Sequence, residues 1–176
     1  TGIWANVTGD FGGGLSNTNN ITIKALGDIT AENGEAILAE SDKGQVDITT
    51  GSGAVIQAQN NAIKVITSGS TSVTNAANLN AGESGIDVSE ATGGSTIQNS
   101  GDITAAEGEG MVIFGGDAVE TVTTTAGTLT GNTDLGAGND TFTASGGALV
   151  GNTLMGDGDD VTTLTGPVDV TAAPQF

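Results

Sequence analysis

Two glycine-rich turns concentrate this chain's capacity for chemistry. They read LGAGNDTFT at 135–143 and MGDGDDVTT at 155–163, offset by 20 residues. Between them they carry Asn139, Asp140, Asp157, Asp159 and Asp160. Calcium takes roughly six to eight oxygens from carboxylates and carbonyls, and glycine lets a backbone turn its carbonyls inward. If the two turns stack, these five side chains come together as a calcium site. The competing reading is structural: Asn-Gly and Asp-Gly corners whose side chains hydrogen-bond nearby amides and face solvent.

Other chemistries are narrowed by composition. The chain has no Cys and no His, which removes disulfides, thiol chemistry and imidazole or thiolate metal sites. Its only cations are Lys24, Lys43 and Lys64, against 21 acids, for a formal net charge of −18. Such a surface repels nucleic acid and anionic lipid and attracts divalent cations. Nucleic acid is therefore excluded as a partner. No apolar run reaches the roughly 18 residues of a membrane helix, so no membrane insertion is expected. Catalysis would have to rely on paired carboxylates. A chain without Arg, His or Tyr lacks the groups that hold an acidic sugar, and short corners offer no pocket in which to tune a pKa. The expectation is no enzyme, with a polysaccharide-active one as the remote alternative.

The two turns belong to a repeat. GTLTGNTDLGAGNDTFTASG at 127–146 is followed by GALVGNTLMGDGDDVTTLTG at 147–166, and a third pass begins at Gly166. Self-similarity at this period marks a solenoid. Upstream, a looser form recurs through the anchors Ile29, Val55, Leu79, Ile103, Leu129, Leu149 and Val168, spaced by 26, 24, 24, 26, 20 and 19 residues. After the first four anchors a second apolar residue follows at Ile37, Ile63, Ile86 and Met111. Ahead of each anchor lies a short β-prone run, from Ile21-Thr22-Ile23 through Thr141-Phe142-Thr143 to Val161-Thr162-Thr163. Apolar-in, polar-out alternation with Thr and β-branched residues favours strands. Gly, Asn and Asp cluster where corners need positive φ.

This pattern predicts an all-β, right-handed parallel β-helix, or β-solenoid, of about seven coils. Residues 21–170 form the coils, 1–20 an N-terminal cap or irregular first coil with a strand through Ile3, Ala5 and Val7, and 171–176 a C-terminal tail. Threonines 121, 123, 141, 143, 163 and 165 could line one face and suggest ice or crystal binding. Asp47, Ser72 and Gln98 break the T-x-T pattern in earlier coils, so ordinary strand propensity is the simpler source.

Two resemblances attach to these residues. The phrases at 99–104 (NSGDIT) and 131–142 (GNTDLGAGNDTF) resemble repeats in autotransporter passenger domains, over roughly residues 20–170. That family implies a right-handed parallel β-helix at the bacterial surface and, in many members, adhesion; its C-terminal membrane barrel is not within these 176 residues, as expected either of a fragment or of a free β-helix put to another use. Residues 135–143 also resemble the calcium-binding nonapeptide of repeats-in-toxin proteins, with Leu135 in place of the first glycine. The 155–163 copy has Thr162 in the apolar position, and the interval is 20 residues where that family repeats every nine.

The functional expectation is an extracellular or cell-surface structural or adhesive solenoid, with an unspecified host or surface ligand. The alternative is a self-assembling filament subunit. Open solenoid ends expose unpaired backbone and apolar side chains, and a contact that does not close extends indefinitely. Trp4, Val7, Val168, Val170 and Phe176 are the interface residues this predicts, with a homo-oligomer or filament as the partner state.

Overall fold

The computed structural model describes residues 2–7, 20–106 and 110–171. Among them there is no helix. Twenty-one short strands form three parallel sheets of seven. Each turn of chain visits the three sheets in order, and the next turn adds a parallel strand to each. This is a β-solenoid, consistent with the right-handed parallel β-helix that connected parallel strands favour.

The first sheet runs from Ile3–Val7 through Ile37–Ser41, Ile63–Thr67, Ser84–Ala91, Met111–Phe114 and Asn132–Asp134 to Thr153–Leu154. The second holds Ile21–Ala25, Val46–Thr50, Thr71–Asn75, Ser95–Asn99, Glu120–Thr124, Thr141–Ala144 and Val161–Leu164. The third holds Ile29–Ala31, Val55–Ala58, Asn78–Ala81, Ile103–Ala105, Thr128–Thr130, Gly147–Val150 and Val168–Val170.

Alternation decides what is buried. In the second sheet every other residue points inward, stacking Ile23, Ile48, Val73, Ile97, Val122 and Phe142, all buried. Thr162 continues this column over Phe142 and is half-buried. In the third sheet the inward column is Ile29, Ile56, Leu79, Ile103, Leu129 and Leu149. Val55 is therefore not an anchor. It pairs with Asn78 and is exposed, while Ile56, one residue on, points inward. A slip of one residue changes face, and sequence spacing does not separate two adjacent β-branched residues. Two other predicted positions are displaced by two residues, which keeps the face but changes the partner. Ile113, not Met111, stacks on Ile86, and Val170, not Val168, aligns with Leu149.

The Ile3–Val7 strand pairs in register with Ile37–Ser41, so this part of the 1–20 segment is a rung of the first sheet. The predicted alternation through Ile3, Ala5 and Val7 falls on that strand. From residue 127 onward the 20-residue turns have tighter corners, built by glycines with positive φ such as Gly136 (85°) and Gly156 (91°). A Cβ on Gly156 would be driven into the carbonyl oxygen of Gly136 one turn below, so glycine is required there by both conformation and space.

Candidate functional site: the acidic corner

The acidic turns form the corner where the chain passes from the first sheet to the second. They stack as the sequence repeat implies. Ala137 bridges Asp157 in parallel, the Gly138 amide donates to the Asp157 carbonyl at 2.9 Å, and the Asp157 amide donates to the Gly136 carbonyl at 3.0 Å.

The side chains act mainly as braces between turns. Asn139 Oδ1 accepts the amide of Asp159 at 2.9 Å, and Asp160 Oδ1 accepts the amide of Asp140 at 2.9 Å. Asp140 Oδ1 in turn accepts the amide of Glu120 at 2.8 Å. The partners are 20 residues away, on the neighbouring turn, not the local amides of an ordinary Asx corner. Asn132 does the same for Asn152, and Asp102 for Thr128 one longer turn on. Asp134, which braces Gly136 at 3.1 Å, makes a local bond.

The five predicted calcium ligands therefore separate into two groups. Asn139, Asp157 and Asp159 are exposed on the corner's rim. Asp160 is half-buried, and Asp140 is 1% exposed. Among the described residues no three Asp, Glu, His or Cys side chains converge on one point.

One residue of the corner escaped the sequence reading. Glu120 lies 20 residues before Asp140 and 40 before Asp160, and it is fully buried; the Gly116 amide lies near its carboxylate, but neither oxygen makes a well-formed hydrogen bond. Asp140 Oδ2 is likewise unpartnered. Burial raises the Glu120 carboxyl to about 8, helped by the charges of Asp140 and Asp117 and partly offset by the Gly116 amide. Burial also raises Asp140, with Asp160 adding to it and the Glu120 amide opposing it. The signal was present in the sequence: Glu120 opens a strand, and Asp140 and Asp160 each stand one residue before the strand that pairs above it. The chain between 107 and 126 departs enough from the 20-residue phrase to hide the first of them.

A second charged cluster lies on the first sheet, at the irregularity between Asp87 and Glu90. Lys64 Nζ contacts Asp87 Oδ2 at 3.3 Å and Glu90 Oε1 at 2.9 Å. Burial works against the ammonium, but the bonds to Glu90 and Asp87 outweigh it and its pKa is raised. This is a braced ion pair, not a nucleophile.

Of the predicted interface residues, Val168 packs half-buried against the core and Val170 is exposed on the last turn. Phe176 and the side chains of Trp4 and Val7 lie outside the described residues. The hollows on the surface are open. One of about 640 Å³ is lined by Met155, Gly156, Gly158, Asp160, Thr162 and Leu164, on the last turn of the described stack. Comparison with known protein families, curated proteins and solved structures finds no match for this chain.

Proposed function

We propose that this chain is a structural β-solenoid that works through its outer faces, outside the cell or at a bacterial surface, in the manner of the autotransporter passengers it resembles. The observation that carries the reading is the outward face of the second sheet. One row runs Thr22, Asp47, Ser72, Thr96, Thr121, Thr141 and Val161, and a parallel row runs Lys24, Thr49, Thr74, Gln98, Thr123, Thr143 and Thr163. It is a long, regular surface in which threonine and serine hydroxyls predominate, interrupted by Lys24, Asp47, Gln98 and Val161, and suited to contact an extended partner along its length. The strongly perturbed carboxyl, Glu120, is sealed from solvent, which speaks against substrate chemistry there. Pull-down on purified surface glycans and on fixed host cells tests the reading. Saturable binding lost when Thr121, Thr123, Thr141 and Thr143 become Lys supports it; binding indifferent to those changes overturns it.

A second reading, a filament subunit, is favoured by the last turn. Val161, Leu164 and Val170 are exposed there, and among the described residues the strands 153–154, 161–164 and 168–170 pair on one side only. Unpaired parallel edges with apolar side chains template further strands, and a second copy presenting its first turn would supply them. Calcium, if the chain binds it, would act as a clamp on the corner. Electron microscopy with light scattering, with and without calcium, separates the two: regular concentration-dependent rods support the filament, and compact monomers in both conditions sink it.

A further inference from the structure

Five buried side-chain oxygens have no hydrogen-bond partner among the described residues, and all five lie on one ladder. The ladder is the inward column at the leading edge of the second sheet. Its rungs are Ile21, Val46, Thr71, Ser95 and Glu120 in register, with Asp140 next above. The first two are apolar. The unpartnered atoms then follow without a gap: Thr71 Oγ1, Ser95 Oγ, both Glu120 oxygens and Asp140 Oδ2. Each of these four residues is under 5% exposed.

The same sheet shows what a completed polar ladder looks like. At its trailing edge Thr50 donates to Asn75 Oδ1 at 2.5 Å, Asn75 Nδ2 to Asn99 Oδ1 at 2.8 Å, and Asn99 Nδ2 to Thr124 Oγ1 at 3.5 Å. Amides can donate and accept, so that column closes on itself. Carboxylates only accept, so Glu120 and Asp140 cannot satisfy each other when ionised. No Lys or Arg follows Lys64, which is engaged with Asp87 and Glu90, so the chain has no base of its own to pair with them.

We propose that Glu120 and Asp140, on adjacent rungs, hold a calcium ion inside the wall of the solenoid. The donors are all oxygen, and two carboxylates balance a divalent charge, which selects a hard cation. Parallel rungs repeat every 4.8 Å or so, so an ion between two rungs is about 2.4 Å from each layer. That spacing matches calcium–oxygen distances of about 2.3–2.6 Å and exceeds the roughly 2.0–2.1 Å that magnesium requires. Main-chain carbonyls and water would complete the shell. Ser95 and Thr71 lie one and two rungs below Glu120, outside the pair of layers that holds the ion, and are not part of the set. The site differs from the exposed rim of the corner, where Asp157 and Asp159 face solvent. A carboxylate must be deprotonated to bind the ion, so proton and calcium compete for the site.

The test is calorimetric titration of the chain with calcium chloride at pH 8 and pH 6.5, in salt of about 0.15 M to screen the diffuse acidic surface. The expected result is one saturable site, weaker at the lower pH, releasing a proton that is read from the dependence on buffer ionisation enthalpy. Glu120→Gln and Asp140→Asn should each weaken it at least about tenfold, while Asp157→Asn with Asp159→Asn leaves it unchanged. Asp140→Asn keeps the oxygen that braces Glu120, so it reports on charge even where Glu120→Gln disturbs the fold. Binding that follows Asp157 and Asp159, ignores Glu120, or is absent from the folded chain overturns the proposal. In the last case Glu120 is simply a buried neutral acid.

Discussion

Asp140 lies directly over Glu120, using Oδ1 to hold the Glu120 amide at 2.8 Å while its Oδ2 has no partner. One side chain thus does two opposite things: it stitches adjacent turns together and places a second acid beside a buried one. The stitching is general to this fold. Asp28 braces Val55, Asp102 braces Thr128 and Asn139 braces Asp159 in the same way. Among the described residues, only on the Glu120 ladder does the bracing carboxylate face another carboxylate in the interior.

That pairing makes stability fall as pH rises when no divalent cation is present. The Glu120 carboxyl titrates near 4.5 in an unfolded chain and near 8 in the fold, so between those values the native state holds a proton that the unfolded state has lost. Stability is complete below about 4.5 on this account and is lost progressively toward 8, by a total of a few kcal/mol. Urea unfolding in a chelator at pH 5 and pH 8 measures it. Glu120→Gln, which cannot ionise, should flatten most of the slope and be the more stable protein at pH 8.

The amide ladder should be costly to interrupt. Asn75 donates both to Asn99 Oδ1 at 2.8 Å and to the Ala77 carbonyl at 3.1 Å, and accepts from Thr50. Asn75→Ala leaves those partners buried without water, a loss of about 2–4 kcal/mol in unfolding free energy. Asn80, exposed on the third sheet, is the control: Asn80→Ala should change stability by under about 0.5 kcal/mol.

The coil architecture was legible because alternation and glycine spacing act within a few residues. The β-prone runs ahead of the anchors fall in the second sheet, and the 20-residue phrase sets the register Leu129 to Leu149. What was not legible lay between turns. Whether Val55 or Ile56 points inward depends on which partner strand it meets, and sequence spacing tolerates either. The bracing role of Asp140 was not legible for a related reason. An Asp beside Gly reads as a local corner or a cation ligand, and nothing local says that its bond goes to an amide 20 residues earlier. Glu120 was hidden because burial of an unpaired acid contradicts every compositional expectation.

Glycine substitutions should separate conformational strain from steric conflict. Gly53 has φ of 80° and open space where a Cβ would go, so Gly53→Ala should cost only about 1–2 kcal/mol from the left-handed backbone. Gly156 has φ of 91° and would push its Cβ into the Gly136 carbonyl of the turn below. Gly156→Ala must separate the two turns or distort the corner, costing well over about 2 kcal/mol. Equal losses of stability in the two variants, measured by urea unfolding, would mean that the corners yield more than their packing implies.

The exposed last turn gives the filament reading its decisive variant. Val161 and Leu164 are 53% and 43% exposed and sit on the edge strand of the second sheet. Replacing both with Lys removes apolar contact and places charge on an unpaired edge, which is how natural sheets block edge-to-edge addition. Because neither side chain is in the core, the monomer's unfolding free energy should move by no more than about 0.5 kcal/mol. If copies stack head to tail, the double variant should remain monomeric at concentrations where the parent scatters light as rods. Rods that persist in the variant would show that assembly uses a lateral face instead. A parent that stays monomeric at every concentration would leave these residues as an ordinary exposed edge and remove the filament reading.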